Sequence, residues 1–335
     1  MGKMSITRHN FVEYFSMRGK SFRFWHWMII FPKLFPRILK REERKVLRQN
    51  FLRRQRAISL EEDLNLPNLC FPQIQLLIIV AGKDIEIMDQ AIASALLYSK
   101  NKITKLTIVC PTIDLDACAI KVDKMELDIS VDILDENQVI SADIRKFIKE
   151  KFPSRYGWIL QQFLAFDQVL KSKEKGVLLL DADTVLVRPV HWLDCESNQI
   201  LMVGTDFHQP YYELLSQLLN FSESPKYAFV THHMLFQPIF YKSILSTRGY
   251  NSIPKFFMDA LKFANEKSES PMCIEFEPYA QGMLADYPEK ILLRKFSNLG
   301  MARNQQNLKT VAKALDGEIR LSYNSVSLHD YITSD

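Results

Sequence analysis

The chain has 335 residues, 47% hydrophobic and 24% charged, with 22 Phe and only 10 Gly. That composition buries a core and excludes fibrous, low-complexity and wholly disordered classes, and the length fits one large domain or two unequal ones. A net charge of +4 conceals an asymmetry: residues 1–57 hold 15 Lys plus Arg against 3 Glu, so this segment is +12 and the remainder −8.

The basic segment comes first in the chain. Phe22, Phe24, Trp25, Trp27, Met28, Ile29, Ile30 and Phe31 crowd together and are followed by Lys33, Phe35 and Arg37. Interfacial aromatics beside snorkelling cations favour an anionic membrane surface over nucleic acid. The apolar run covers about half of the roughly 20 residues a spanning helix needs, so it cannot cross a bilayer. Interrupting charges, Pro32 and Pro36, and the lack of a small-residue cleavage site nearby also argue against a secretory signal. A basic helix is expected between Pro36 and Ala57; packing on the main domain is the alternative to membrane docking. Residues 1–60 are thus expected to form an extension, and 70–330 the main domain.

From residue 73, short apolar runs alternate with helical spacing, the pattern of an α/β protein. Strands are expected at Ile74–Val80, Leu106–Val109, Ile129–Leu134 and Val177–Leu180, and helices at Ile85–Ser99, Ala142–Lys151 and Trp158–Lys171. Fully apolar runs imply a mostly parallel sheet covered by helices on both faces, with function at the carboxyl ends of its strands. Beyond it, Ile200–Val203, Phe229–Phe236, the region of Ile291 and Ile319–Leu321 read as strands, and Tyr211–Leu219, Ile253–Ala264 and Tyr279–Ala285 as helices. No linker rich in Gly, Ser or Pro divides the chain, so one continuous domain is expected. The five cysteines, Cys70, Cys110, Cys118, Cys195 and Cys273, are odd in number and lack Cys-x-x-Cys spacing. This argues against a zinc site or disulfide framework and for a reducing, cytoplasmic compartment.

The chemistry is carried by Val177-Leu-Leu-Leu180-Asp181-Ala-Asp183-Thr184. Residues i and i+2 leaving a strand point alike, so both carboxylates can face one hard cation. Two aspartates at the end of a buried strand repel each other and lose solvation, which Mg²⁺ or Mn²⁺ relieves, and such an ion can bridge a diphosphate. The same pattern occurs in dehalogenase-like phosphohydrolases, where Asp181 would be the nucleophile. Those enzymes normally carry it near the start of the domain, and they need a downstream Lys and a further acidic pair. A non-catalytic, membrane-bound scaffold is the third reading.

Residues 156–190, from Tyr156-Gly-Trp158-Ile-Leu-Gln161-Gln162-Phe through Asp181-Ala-Asp183-Thr-Val-Leu-Val-Arg-Pro-Val190, resemble GT-A-type glycosyltransferases. The likeness is greatest to a bacterial group of DUF-like sugar transferases associated with surface polysaccharides such as lipopolysaccharide or capsule. Phe229-Val-Thr-His232-His233-Met-Leu-Phe236, Glu275-Phe-Glu277-Pro-Tyr279 and Arg294-Lys-Phe-Ser297-Asn298 extend it over roughly residues 73–330. The resemblance implies a GT-A-like, Rossmann-like fold and a nucleotide-sugar donor whose diphosphate rests on the metal. It further implies a glycan or lipid-linked acceptor; a place on the inner face of the cytoplasmic membrane is expected from the basic N-terminal segment alone.

Carried onto this sequence, the resemblance makes Asp183 the principal metal ligand. Asp181 would touch the metal or the ribose, and His329 would be a third ligand, which suits Mn²⁺. Asp84, in Ala81-Gly82-Lys83-Asp84 after the first strand, is expected to meet the nucleobase or ribose, or else to cap the following helix. Gln161 or Gln162 would bond the sugar or phosphate, the other facing solvent. His232 and His233 must point to opposite faces; one belongs in the core, and the other, taken as His233, would bond the sugar or acceptor. Glu275, paired with Glu277, is the expected base for an inverting displacement. Arg188, Arg294 or Lys295 would add positive charge near the diphosphate.

Overall fold

Both faces of the first strand are sealed, and the rest of the main layer is built around it. The computed structural model describes residues 71–204, 207–264, 268, 271–303 and 323–329; segment 1–57 and the strand expected at Ile319–Leu321 lie outside them. The first half runs β1 (Ile74–Ile79), α1 (Ile85–Tyr98), β2 (Ile103–Cys110), α2 (Leu115–Asp123), β3 (Ser130–Asp135), α3 (Glu136–Val139), α4 (Ala142–Lys151), α5 (Tyr156–Lys171), β4 (Val177–Leu180) and β5 (Thr184–Leu186). There follow β6 (Gln199–Val203), α6 (Gln209–Leu219), β7 (His233–Phe236), α7 (Pro238–Ser246), α8 (Ile253–Phe263), α9 (Phe276–Asp286), β8 (Ile291–Lys295), β9 (Asn298–Ala302) and β10 (Ser325–His329).

Every side chain of β1 and of β4 is buried, as their apolar runs predict; the one polar member, Gln75 of β1, is buried too and donates to Thr107 Oγ1 at 2.8 Å. Period-two alternation then divides those residues between two cores. Leu77, Ile79 and Leu179 pack with Phe163 and Phe166 of α5, while Leu76, Ile78 and Leu178 pack with Met88 and Ile92 of α1. Each such side chain contributes about 1.5–3 kcal/mol on burial. The sheet has the order β3-β2-β1-β4-β7; its first four strands are mutually parallel and β7 is an antiparallel edge. A mostly parallel sheet flanked by helices is therefore present, as expected.

Two smaller sheets complete the fold: β5-β10-β9 and β6-β8. Several elements differ from the sequence reading. β7 begins at His233 rather than Phe229, because the Phe229 N–H is taken by Glu277 Oε1 at 2.7 Å and so is not free for a strand ladder. Helices α2, α3 and α7 and strands β9 and β10 were not expected. β10 reads Ser-Val-Ser-Leu-His, a short alternation whose polar members are buried along with the apolar ones. Among the described residues, no helix is long and apolar enough to cross a membrane.

Candidate active site

The chain lays β1, β2 and β3 outward in one direction and then returns to place β4 on the other side of β1. Loops leaving neighbouring strands on either side of such a reversal diverge and leave a crevice at the carboxyl edge. Asp84 follows β1 and Asp181 follows β4, so both belong to that edge. Antiparallel β7 starts there too, with His233 opposite Leu180, and the Asp181 N–H donates to His232 O at 3.0 Å.

Asp181 and Asp183 do not converge through strand alternation. The chain turns at once: the Thr184 N–H donates to Asp181 O at 3.0 Å, with Ala182 tucked in at 4% exposure. The turn is held from behind by the β5-β10-β9 sheet. Thr184 Oγ1 shares a 2.7 Å hydrogen bond with Ser327 Oγ, and the Leu328 N–H donates to Asp183 O at 3.0 Å. This docking carries two distant residues to the aspartates. His329 Nδ1 stands 3.9 Å from Asp183 Oδ2. Arg303, just past β9, places Nη2 at 2.5 Å from Asp84 Oδ1 and 3.4 Å from Asp183 Oδ2. The same guanidinium donates to Lys83 O at 2.9 Å and Leu328 O at 3.3 Å.

His232 closes the cluster. Its Nδ1 lies 3.0 Å from Asp181 Oδ2, and its ring is 4.9 Å from that of His329. Burial and the neighbouring Asp181 charge push the Asp183 carboxyl up to about 7, against the pull of His232 and Arg303. Additional positive charge beside Asp183 would stabilise its ionised form.

Residues 80–253, just over half of the chain, match the family described as a family of unknown function, DUF6492. The chain belongs to that family. No curated protein matches it. Among solved structures it is similar to mouse xyloside xylosyltransferase 1, at 11% identity and a TM-score of 0.40, over 78% of this chain and 100% of that one. It is also similar to the mannosyltransferase Ktr4p from S. cerevisiae, at 11% identity and a TM-score of 0.46, over 68% of this chain and 77% of that one. Likenesses this distant say nothing of substrate or mechanism in this DUF6492 protein.

The other expected site residues divide into those near the cluster and those inside the core. Asp84 is not a helix cap by its side chain; it pairs with Arg303 instead. Glu275, at the start of α9, is buried, and its Oε2 finds no hydrogen-bond partner among the described residues. Burial first, and the Asp181 charge second, push its carboxyl well above the usual range, which puts it within electrostatic reach of the cluster. Glu277 is different: its carboxylate accepts from Tyr212 Oη at 2.7 Å, Phe229 N at 2.7 Å and Gln281 Nε2 at 2.9 Å.

The two histidines fall opposite to the expected assignment. His233 is 1% exposed; its Nδ1 accepts from Trp192 Nε1 at 3.3 Å, and burial pushes its imidazole down to about 3. It shares the strand face of Leu235, which packs in the α1 core with Trp192, so His232 is left to face the aspartates. Gln162 is also buried: its Oε1 accepts from Ile274 N at 3.0 Å and its Nε2 donates to Met272 O at 3.4 Å, which fastens the segment leading to Glu275. Gln161 is half-buried and takes no part in the hydrogen bonds of the cluster. Arg188 is engaged by Asn324, and Arg294 donates to Leu293 O at 3.0 Å. Arg303 and His232 are the contributors that the sequence reading did not select.

The donor set suits a divalent ion. Asp183 Oδ2 and His329 Nδ1, 3.9 Å apart, are closer than twice a metal–ligand distance of about 2.1 Å, so both can reach one ion, and carboxylate with imidazole suits Mn²⁺. Among the described residues, no group of three or more His, Cys, Asp or Glu side chains is gathered tightly enough to hold an ion in this conformation; Arg303 lies on the carboxylates.

Proposed function

We propose that this protein is a metal-dependent glycosyltransferase that moves a sugar from a nucleotide-sugar donor to a hydroxyl of a bacterial surface glycan or lipid-linked acceptor. The observation that carries this reading is the Asp181–Asp183 turn at the sheet reversal, with His329 Nδ1 3.9 Å and Arg303 Nη2 3.4 Å from Asp183 Oδ2. A crevice at such a reversal accommodates a nucleotide, and an acidic pair there calls for a cation, which in turn accepts a diphosphate. Asp183, Asp181 and His329 would hold Mn²⁺ or Mg²⁺. When bound, that ion would supply positive charge for the departing diphosphate.

The remaining steps belong to the chain's own groups. His232 Nδ1, 3.0 Å from Asp181 Oδ2, orients that carboxylate and presents the rest of its ring to the cleft. Asp84, on the loop after β1, is placed for the ribose or base once Arg303 no longer holds it. Glu275 Oε2 has an open hydrogen-bonding position among the described residues; in its ionised form it takes the acceptor's hydroxyl proton as that oxygen attacks, and its raised proton affinity favours keeping that proton. Gln162 keeps Glu275 in place through its bond to Ile274 N.

The basic aromatic segment 1–57 supplies the membrane-facing part of the proposal, at about 1 kcal/mol per basic residue near anionic lipid. Deletion of 1–57 should release the chain from anionic liposomes in co-sedimentation; undiminished binding would refute that part alone. For the reaction, the full-length chain is given a panel of nucleotide sugars with and without Mn²⁺. Donor turnover should require the ion and fall at least about 10³-fold in Asp183→Ala while the melting profile stays cooperative. Full turnover in that variant would contradict the proposal. Aluminium-fluoride trapping at Asp181 would favour the phosphohydrolase instead.

A further inference from the structure

Arg303 occupies the position at which the proposed reaction needs a different cation. Its guanidinium touches both Asp84 and Asp183, at 2.5 and 3.4 Å, and is fixed by Lys83 O and Leu328 O. These contacts span the loop after β1, the Asp181–Asp183 turn and β10, so one side chain ties together three segments at the carboxyl edge of the sheet. The backbone holds it there as well: the Arg303 N–H donates to His329 O at 3.0 Å. With only 15% of the side chain exposed, this is an interior ion pair and not a solvated surface arginine.

A divalent ion on Asp183 Oδ2 and a guanidinium 3.4 Å from the same oxygen repel each other, and one carboxylate oxygen cannot serve both well. We infer that Arg303 is an internal counter-cation: it holds Asp84 and Asp183 in the ligand-free protein and must leave them before a divalent ion can bind. This rests on the proposed metal site, and it adds a consequence that the site alone does not require. Affinity for the ion by itself is set by the fraction of molecules in which Arg303 has let go. Guanidinium groups pair readily with phosphate oxygens, so a diphosphate arriving with the ion gives the displaced side chain a partner.

The test titrates Mn²⁺ alone into the full-length chain, with free Mn²⁺ read by electron paramagnetic resonance. Wild type is compared with Arg303→Gln, which removes the charge and keeps a polar side chain. Binding about tenfold tighter in R303Q is expected, as for removal of a competitor that holds the site about 90% of the time. Equal or weaker binding in R303Q, with wild type still binding, would overturn the inference and leave the metal site standing. Failure of both proteins to bind Mn²⁺ would overturn the metal site and the inference with it. Should R303Q not fold, Arg303→Lys takes its place, because a single ammonium cannot span the same four oxygens; tighter Mn²⁺ binding in folded R303K supports the inference and unchanged binding refutes it.

Discussion

Glu275 and Glu277 stand two residues apart at the start of one helix, yet they belong to different regions of the molecule. Glu277 faces the interior behind α9, where a hydroxyl, a backbone N–H and a side-chain amide converge on its carboxylate. Glu275 faces the carboxyl edge of the sheet, where Oε2 has no partner and the charge of Asp181 is felt. His233 and His232 also part company one strand away: the first is buried, with Nδ1 on Trp192 and Nε2 without a hydrogen-bond partner among the described residues, and the second lies on Asp181. Buried polar groups that are fully paired specify a structure, and a buried group left open in a cleft is available to a ligand.

The contrast can be broken in either direction. Glu277→Ala strands three buried or partly buried donors, so it should cost roughly 3 kcal/mol or more of stability, at about 1–3 kcal/mol per stranded group. Urea denaturation measures this, and a loss under about 1 kcal/mol would mean that the network is not structural. Glu275→Gln should do the opposite. It removes no hydrogen bond from Oε2, so the urea midpoint should hardly move, while donor turnover in the presence of acceptor should fall about 10²–10³-fold. A large loss of stability with turnover intact would exchange the two assignments.

A finer comparison uses pH. His233 is held neutral, with its imidazole at about 3 against an ordinary value of 6.5, so between those pH values the unfolded chain binds the extra proton. Its contribution to stability is therefore fully present above about pH 6.5 and drains away as pH falls towards 3. Asp183, raised to about 7, slopes the other way between about pH 4 and 7, because there the native state holds the proton. The informative quantity is thus the difference between wild type and His233→Gln. Stability of the variant should fall less on acidification, by at most about 1.4 kcal/mol for each pH unit. Parallel pH curves for the two proteins would show that His233 is not the sealed, neutral group described here.

Much of the main sheet is visible in the sequence because β4 is wholly apolar and β1 is apolar but for Gln75, both short and bounded by polar turns, a pattern that two-sided burial explains. Asp181 and Asp183 stand out for the same reason: they end such a run. The phase of the His232–His233 pair was not visible. Adjacency guarantees opposite faces, but which residue turns inward depends on the register of β7 against β4, and that is set by tertiary pairing. Arg303 was invisible for a different reason. It follows a short strand containing Gly300 and acts on Asp84 some 220 positions away, so no local pattern marks it. The alternation in Ser325-Val-Ser-Leu-His329 is a signal that could have revealed β10, and with it the path by which His329 reaches Asp183.

The central claim is that the turn after β4 holds a divalent ion that in turn holds a diphosphate. Crystals soaked with Mn²⁺ and a nucleotide sugar, with data collected for anomalous scattering from manganese, address it directly. The account predicts one strong peak between Asp183 and His329, with diphosphate oxygens against it and Arg303 displaced from Asp183. A nucleotide bound with no anomalous peak at this turn, or a manganese peak elsewhere, would contradict it.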